Sequence, residues 1–342
     1  MPRPLIAGIY APTQVFYLSP NGRDAESTAL DTTTISRHAV RLVTAGIVGL
    51  VTNGSNGEAA LLTSEERSAV TKATRLALDA AGCTAAPIIA GASAPSVSGT
   101  LALCHEAAAA GADAVLLLAP ALVGGEMGAT GVERYFVLVA DKSPLPVVIY
   151  NYPAAAGGFD FDSDILIRLA KHSNIAGTKF TCGNVGKIAR VVKDLEQRVV
   201  CENTPREVKT SLEPDDEGSR PYFAFIGVAD SILAAVGGAG ATGGIVGAAN
   251  VFPKACARVY SLAAAGRWYE ARRAQQALAK ADWSLTKRGV PGFKAILSHY
   301  HGYGGSPRQP ITELSAEAAQ ELFNDINQFM LYEQSLPNAV AS

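Results

Sequence analysis

The chain has 342 residues and a formal net charge of -2. This length allows one large α/β domain or two ordinary ones. The near-neutral charge argues against a nucleic-acid or anionic-membrane surface, because both kinds of surface need clustered lysine and arginine. A small-molecule partner is therefore favoured.

The cysteines, histidines and apolar segments exclude further classes. The five cysteines, at positions 83, 104, 182, 201 and 256, are odd in number and show no Cys-x-x-Cys spacing, so reduced thiols are expected instead of disulfides or zinc. His299 and His301 are too close in sequence for a helical metal pair. No apolar segment reaches the roughly 18 to 20 residues of a membrane span. The apolar run at 5–10 leaves no room for a signal or transit peptide, so we expect a cytoplasmic protein without metal or membrane contact.

Short β-rich runs alternate with Ala- and Leu-rich helical patterns along the chain. This alternation is typical of βα units around a parallel sheet. Strands are predicted over residues 5–10, 47–52, 87–91, 113–119, 146–150, 174–179, 222–227 and 242–247. Eight strands predict a closed (β/α)8 TIM barrel, with a doubly wound open sheet as the alternative fold.

Helical patterns fill the intervals and continue beyond the eighth repeat. Between strands they cover residues 32–45, 64–81, 96–110, 130–142, 162–172, 184–196, 230–238 and 251–265. Thr63 and Glu66 form a capping-box pattern that predicts the start of the second helix. Patterns at 267–285, 290–300 and 316–335 predict a C-terminal helical extension. We expect a catalytic barrel domain over 1–265 and a helical appendage and tail over 266–342.

A charged stretch interrupts the βα alternation before the seventh strand. Residues 201–220 include Glu213-Pro214-Asp215-Asp216-Glu217-Gly218 and show no apolar period. Such a composition is typical of a solvated surface insertion.

The most informative single residue is Lys179, which closes the apolar run of the sixth predicted strand. Burial disfavours a charged ammonium and can turn a lysine into an amine nucleophile. Tyr150 ends the fifth strand about thirty residues earlier, as one strand-helix-strand unit requires. The two side chains would then finish adjacent strands. A lysine that snorkels to water and a tyrosine at an interface are the alternative interpretation.

A glycine-rich loop, Gly54-Ser55-Asn56-Gly57-Glu58, follows the second strand. Backbone amides freed by glycine, with the side-chain donors of Ser55 and Asn56, suit a carboxylate, although a simple tight turn explains the glycines equally well. Barrel active sites lie at the carboxyl ends of the strands, where this loop would meet Tyr150 and Lys179. An amine, a phenol and a carboxylate pocket are the groups that 2-oxo acid chemistry needs. Thr181 would contact the distal part of the substrate or bond to backbone.

At this point the sequence resembles the pyruvate-dependent class I aldolases, the family of dihydrodipicolinate synthase and N-acetylneuraminate lyase. The resemblance is carried by the glycine-rich loop, Tyr150-Asn151-Tyr152-Pro153 and Gly177-Thr178-Lys179, in family order. It extends from residue 6 to residue 330, except for the insertion.

The resemblance implies a role for each of these residues. Lys179 would form a Schiff base and Tyr150 would shuttle protons. Ser55 and Asn56, with Gly54 beside them, would hold the pyruvyl carboxylate, and Ile245 would line the site. The resemblance also implies a homotetramer, and a Schiff-base mechanism needs no cofactor.

Two departures from the family pattern narrow the expected reaction. Family members that make dihydrodipicolinate commonly carry an arginine shortly after the Tyr-Asn-x-Pro motif, where this chain has alanine at 154–156. A synthase role is therefore not expected. Many members also carry a relay tyrosine after the fourth strand, where this chain has Leu122 and no hydroxyl in residues 119–123.

Four stretches look closest to 4-hydroxy-2-oxoglutarate aldolase: the glycine-rich loop and residues 61–67, 289–294 and 302–305. Fungal aldolases for 3-deoxy-2-oxo sugar acids share much of this character. The leading hypothesis is therefore cleavage of a 4-hydroxy-2-oxo acid, such as 4-hydroxy-2-oxoglutarate, to pyruvate and an aldehyde. The alternatives are an aldolase of the L-threo-3-deoxy-hexulosonate type, an oxaloacetate decarboxylase and a non-catalytic 2-oxo acid binding protein.

Overall fold

The computed structural model describes residues 2–18, 29–199 and 221–338, in which eight parallel strands close into a barrel in chain order. The first strand pairs with the last from Gly8↔Gly243 to Tyr10↔Ile245. The TIM barrel is therefore confirmed, and the doubly wound sheet is excluded. The strands are β1 (Gly8–Pro12), β2 (Gly49–Thr52), β3 (Ile88–Gly91), β4 (Ala114–Leu118), β5 (Val147–Asn151), β6 (Ile175–Phe180), β7 (Phe223–Ile226) and β8 (Gly243–Ile245).

Helices surround the barrel and continue past it. The helices are α1 (Thr32–Thr44), α2 (Ser64–Ala80), α3 (Val97–Ala109), α4 (Gly124–Ala140), α5 (Ser163–Ala170), α6 (Val185–Asp194), α7 (Pro253–Ala264), α8 (Trp268–Thr286), α9 (Gly289–His301) and α10 (Ala316–Ser335). The last three correspond to the predicted C-terminal extension. The predicted capping box is present, since the Thr63 hydroxyl accepts from the Glu66 amide and the Glu66 carboxylate from the Thr63 amide.

The strands are buried on both faces, as a parallel sheet covered by helices requires. Side chains that point inward fill the barrel with a layer of large apolar groups that includes Tyr10, Leu116, Phe225 and Ile245. Outward side chains join the helices in a second, larger cluster. This packing explains why the strands read as nearly continuous apolar runs.

Several predicted elements differ from the structure in their bounds. No regular α-helix covers 230–238, where the chain forms a 3₁₀ turn (Ala229–Ser231) and a π turn (Ala234–Gly238). Helix α4 begins at Gly124 instead of 130, because the chain makes a separate turn before a kink at Gly128, where φ is 61°. Strand β1 begins at Gly8 instead of 5, where its pairing with β8 starts.

The sequence also predicts a surface insertion, free cysteines and no membrane-spanning segment. The predicted insertion at 201–220 lies outside the described residues, as does Cys201. The other four cysteines, at positions 83, 104, 182 and 256, are free thiols. In the described part of the chain, no helix is long and apolar enough to span a bilayer.

The C-terminal helices pack closely on the barrel. The Glu333 carboxylate of α10 accepts hydrogen bonds from the amides of Lys254 and Ala255 at 2.9 and 2.8 Å, and so satisfies free donors at the start of α7. The rings of Phe252 and Phe329 meet edge to face at 4.8 Å between centroids. The division of the chain at residue 265 stays a prediction.

Candidate active site

The barrel brings Lys179 and Tyr150 side by side. Strands β5 and β6 are neighbours, and their register pairs Tyr150 directly with Lys179. The Lys179 Nζ lies 4.1 Å from the centroid of the Tyr150 ring. Both residues are buried, with 3% and 4% of their surface exposed. The two side chains thus lie on neighbouring strands, as their spacing in the sequence predicts.

Ser55 reaches the same place from the loop after β2. Its Oγ lies 3.2 Å from the Tyr150 hydroxyl, within hydrogen-bond distance. Burial raises the pKa of Tyr150, but the ammonium of Lys179, the hydrogen bond from Ser55 and the nearby Thr181 hydroxyl outweigh this effect. The net pKa of Tyr150 is lowered, so its phenol gives up a proton more readily than an ordinary tyrosine.

The loop that carries Ser55 and Asn56 is a compact turn. The Gly57 and Ala59 amides both donate to the Gly54 carbonyl, at 3.1 and 3.3 Å. The backbone takes the left-handed conformation at Glu58, where φ is 52°, and not at the two glycines. A Cβ at Gly54 would meet nothing within 4 Å. The space above Gly54 is therefore open to a ligand, and it is the buried Glu58 that holds the unusual backbone conformation.

Asn56 belongs to this turn, and Ile245 lies in the barrel interior. Asn56 is half-buried, and its amide nitrogen and oxygen would lie 3.4 and 3.5 Å from a Cβ built at Gly247, just beyond β8. Ile245 is fully buried on β8, in the same barrel-interior cluster as Tyr150. The structure thus gathers both residues near the ends of β2, β5 and β8.

Thr181 follows Lys179 just beyond the end of β6. Among the described residues its buried Oγ1 has no hydrogen bond of ordinary length, although it is close enough to Tyr150 to lower the phenol pKa. A Cβ at Gly227 would stand 2.0 Å from that Oγ1, so only glycine fits there. The hydroxyl is positioned between two strand ends with hydrogen-bonding capacity to spare.

The positions that depart from the family pattern lie on two touching loops. Ala155 ends a 3₁₀ turn after β5 (Pro153–Ala155), and Leu122 is 86% exposed before α4. A Cβ at Gly157 would lie 2.7 Å from the Ala121 carbonyl, which shows how closely the two loops approach. Leu122 thus presents a large apolar side chain to the outside of the described structure.

Sequence reasoning missed two contacts around the site. The Tyr152 ring stacks on Tyr150 at 5.6 Å between centroids, from two residues along the same strand end. Glu58 of the glycine-rich loop forms a buried ion pair with Lys294 of α9. The alternating side-chain directions of a strand could have indicated the first, whereas no sequence pattern pairs two residues so distant along the chain.

Within the ranges that the structure covers, no group of three or more His, Cys, Asp or Glu side chains could hold a metal ion. The charged and polar groups at the strand ends are instead an amine, a phenol and hydroxyls. They can bind a carboxylate, attack a carbonyl carbon and move a proton.

Comparison with protein-family models matches the dihydrodipicolinate synthetase family over residues 23–211 and 202–329. An L-threo-3-deoxy-hexylosonate aldolase of Aspergillus niger is 44% identical over 339 residues, which cover 98% of each chain. A mitochondrial protein of Emericella nidulans, described as a probable 4-hydroxy-2-oxoglutarate aldolase, is 40% identical over 334 residues, again 98% of each chain.

Solved structures agree with the barrel. A dihydrodipicolinate synthase family protein from Coccidioides immitis superposes with a TM-score of 0.78 at 30% identity, over 98% of each chain. A 4-hydroxy-tetrahydrodipicolinate synthase from Methylacidiphilum fumariolicum SolV reaches a TM-score of 0.79 at 24% identity, over 97% of this chain and 98% of that one. The second likeness concerns the fold alone.

Proposed function

The chain belongs to the dihydrodipicolinate synthetase family, and from that premise we propose that it cleaves a 4-hydroxy-2-oxo acid to pyruvate and an aldehyde through a Schiff base on Lys179. It is a carbon-carbon lyase, as its aldolase relatives are. The observation that carries the Schiff-base proposal is the buried amine of Lys179 beside the ring of Tyr150.

The first step joins Lys179 to the substrate. The amine of Lys179 attacks the carbonyl carbon C2. The ketone oxygen then leaves as water with the help of a proton from solvent, and a protonated imine remains in which nitrogen has replaced that oxygen. The Nζ lies 4.1 Å from the Tyr150 ring centroid, where the ring face stabilises a cation. The barrel interior beneath is apolar, so the imine is shielded from premature hydrolysis on that side.

The second step breaks the bond between C3 and C4. The Tyr150 phenolate takes the proton of the 4-hydroxyl, the C4 oxygen becomes the carbonyl of the departing aldehyde, and the bonding electrons pass to C3 and into the imine to form an enamine. The lowered pKa of Tyr150 supports this role. The phenol then returns a proton to C3, and water hydrolyses the imine to release pyruvate and the free amine.

Substrate binding is assigned to the groups around these two residues. Gly54, Ser55 and Asn56 hold the 2-oxo acid carboxylate in the open space above the turn, since a Cβ at Gly54 would meet nothing. The Thr181 hydroxyl, with its unused hydrogen-bonding capacity, reaches the part of the substrate beyond C4. Ile245 lines the apolar floor.

The aldehyde that leaves depends on which 4-hydroxy-2-oxo acid is cleaved. A 3-deoxy-2-oxo sugar acid is the second candidate substrate, because the relative at 44% identity is named for such an acid. Both candidates share the 4-hydroxy-2-oxo acid portion, so the same Lys179 chemistry serves either. The alanine-rich loop at 154–156 offers no cation to a second carboxylate, which supports cleavage over a synthase reaction.

The experiment is borohydride trapping with pyruvate, followed by peptide mass spectrometry. A reduced pyruvyl group is expected on Lys179, and an unmodified Lys179 in folded protein would refute the proposal. Turnover of 4-hydroxy-2-oxoglutarate, a 3-deoxy-2-oxo sugar acid and oxaloacetate then identifies the substrate. Decarboxylation of oxaloacetate alone, or trapping without any turnover, would favour the decarboxylase or the non-catalytic alternative.

We further propose a homotetrameric assembly and a cytoplasmic location. A homotetramer follows from the family resemblance, and sedimentation or light scattering tests it. The cytoplasmic location is the expectation from the sequence, whereas the names of two relatives say mitochondrial. Fluorescent tagging at the C-terminus distinguishes the two compartments.

A further inference from the structure

A second buried lysine, Lys294 of α9, lies against the loop that carries Ser55 and Asn56. Its Nζ is 2.6 Å from Glu58 Oε1, and the two side chains are 1% and 0% exposed. A buried ion pair persists only where hydrogen bonds satisfy its remaining polar atoms. Here the Arg308 amide donates to Glu58 Oε2 at 2.7 Å, and Lys294 Nζ donates to the Ser306 carbonyl at 2.9 Å. Each partner of the ion pair thus has a further hydrogen bond to the backbone of residues 306–308.

Glu58 connects this ion pair to the loop that carries Ser55 and Asn56. Its backbone is left-handed, with φ 52° and ψ 31°, a conformation that a non-glycine residue keeps only where its surroundings fix it. Its amide donates to the Ser55 carbonyl at 3.2 Å. The Glu58 carboxylate is held by Lys294, and the Glu58 backbone is tied to Ser55 by the short segment 55–58 and by the hydrogen bond between them. The ion pair therefore sets the position of Ser55.

The neighbouring residue of α9 approaches the loop from another side. A Cβ at Gly247 would lie 3.3 Å from Phe293 Cζ and 3.4 Å from Asn56 Nδ2. The Phe293 ring and the Asn56 amide thus both lie close to Gly247. Phe293 and Lys294, two consecutive residues of α9, thus lie beside the loop that carries the two proposed carboxylate ligands.

We propose that Lys294 is a positioning residue that, through Glu58, holds Ser55 and Asn56 where the carboxylate of the 2-oxo acid binds. This inference rests on the proposed function, because it concerns the same carboxylate. It gives α9 a role in substrate affinity, which a helix outside the barrel would not otherwise have.

The test compares Lys294→Met, Glu58→Gln and the double variant Glu58→Met/Lys294→Met with the parent enzyme. The measured quantity is the pyruvate concentration that gives half-maximal borohydride trapping on Lys179, together with kcat and KM for cleavage. Each single variant is expected to raise the half-saturating pyruvate about tenfold, as for a lost charge-assisted hydrogen bond. We expect kcat to fall by only about threefold, because Lys179 and Tyr150 are untouched.

The double variant separates positioning from stability. Lys294→Met leaves the buried Glu58 unpaired, whereas the double variant removes both charges and should regain most of the lost melting temperature. We expect its half-saturating pyruvate to stay raised, because the loop has lost its anchor. Recovery of pyruvate affinity together with melting temperature would show that the pair only stabilises the fold and would overturn the proposal.

A matched lysine serves as control. Lys254 lies on α7, and its amine donates to the carbonyl of Leu336, just after α10, at 2.7 Å. Neither residue belongs to the loop at 54–58 or to α9. Lys254→Met should leave half-saturation within about twofold of the parent. If the parent itself forms no adduct on Lys179, the proposed function fails, and this inference fails with it. If the parent is trapped and the Lys294 and Glu58 variants bind pyruvate equally well, only this inference is wrong.

Discussion

Two buried lysines, Lys179 and Lys294, differ in what surrounds them. Lys179 faces the Tyr150 ring, and among the described residues no carboxylate lies within ion-pair distance of it. Lys294 contacts Glu58, the Ser306 carbonyl and the Tyr17 ring, which together enclose its ammonium. Burial lowers the pKa of Lys294, and Glu58 offsets part of this effect. Burial alone thus does not mark a nucleophile; a free approach to the amine is also required.

Lys187 of α6 shows an intermediate case. Its side chain is 4% exposed and pairs with Asp160, whose side chain is 46% exposed. Asp160 also accepts a hydrogen bond from Asn151 at 2.8 Å, next to Tyr150. The three lysines therefore form a series, from an amine without a carboxylate, through one with a half-exposed partner, to one with a fully buried partner.

The largest effect is expected from replacing Lys179, which has no carboxylate partner among the described residues. Lys179→Ala should abolish the borohydride-trapped pyruvyl adduct and lower cleavage roughly 10⁴-fold or more, since the variant has no amine at position 179 to form the imine. Peptide mass spectrometry and a pyruvate-coupled assay measure the two losses. Lys294→Met, trapped at saturating pyruvate, is the control and should retain its adduct. An adduct on Lys294 in the Lys179→Ala protein would break the distinction between the two lysines.

Replacing the partner of Lys179 should separate imine formation from bond cleavage. Tyr150→Phe keeps the ring near Lys179 but removes the phenol oxygen, so trapping should persist while kcat for cleavage falls about 10²- to 10³-fold. Single-turnover kinetics and borohydride trapping report the two steps. Tyr152→Phe, at the ring stacked on Tyr150, should change kcat less than about twofold. Cleavage at the parent rate in Tyr150→Phe would remove the phenol from the mechanism.

The two paired lysines should differ in stability. Lys294→Met leaves Glu58 buried and unpaired, and we expect a loss of about 3 to 5 kcal/mol in the free energy of unfolding. Lys187→Met leaves a half-exposed Asp160 that water can solvate, so the loss should be about 1 kcal/mol or less. Urea denaturation followed by circular dichroism measures both. Equal losses would mean that exposure of the acidic partner does not govern the cost.

Much of the fold could be predicted from the sequence because its signals are local. Alternating apolar runs and helical patterns identified all eight strands, and the capping box at Thr63 marked the start of α2. The π turn at Ala234–Gly238 could not be predicted, because an extra residue in a helical turn is fixed by packing and not by composition. The kink at Gly128 was hidden for the same reason.

The site was predictable only where strand order sufficed. Lys179 and Tyr150 end neighbouring strands, so the barrel had to bring them together. The sequence indicated that glycines shape the turn of this loop, yet the left-handed backbone conformation occurs at Asn53 and Glu58. Side-chain anchors far along the chain stabilise it, notably Lys294 for Glu58. Such long-range pairs leave no pattern in a single sequence, and so the contribution of α9 to the site was missed.

The smallest expected effect concerns the hydrogen bond that joins the loop to Tyr150. Ser55 is one of the groups that lower the pKa of the phenol, after the larger influences of burial and Lys179. Ser55→Ala should therefore raise that pKa. Because the phenolate accepts the 4-hydroxyl proton, the rising limb of kcat against pH should move to higher pH, and activity at pH 7 should fall about tenfold. Activity should recover as the pH rises, unlike a loss caused by misfolding. A limb that stays in place would show that Ser55 acts on the carboxylate alone, and Lys294→Met should then leave the limb in place as well.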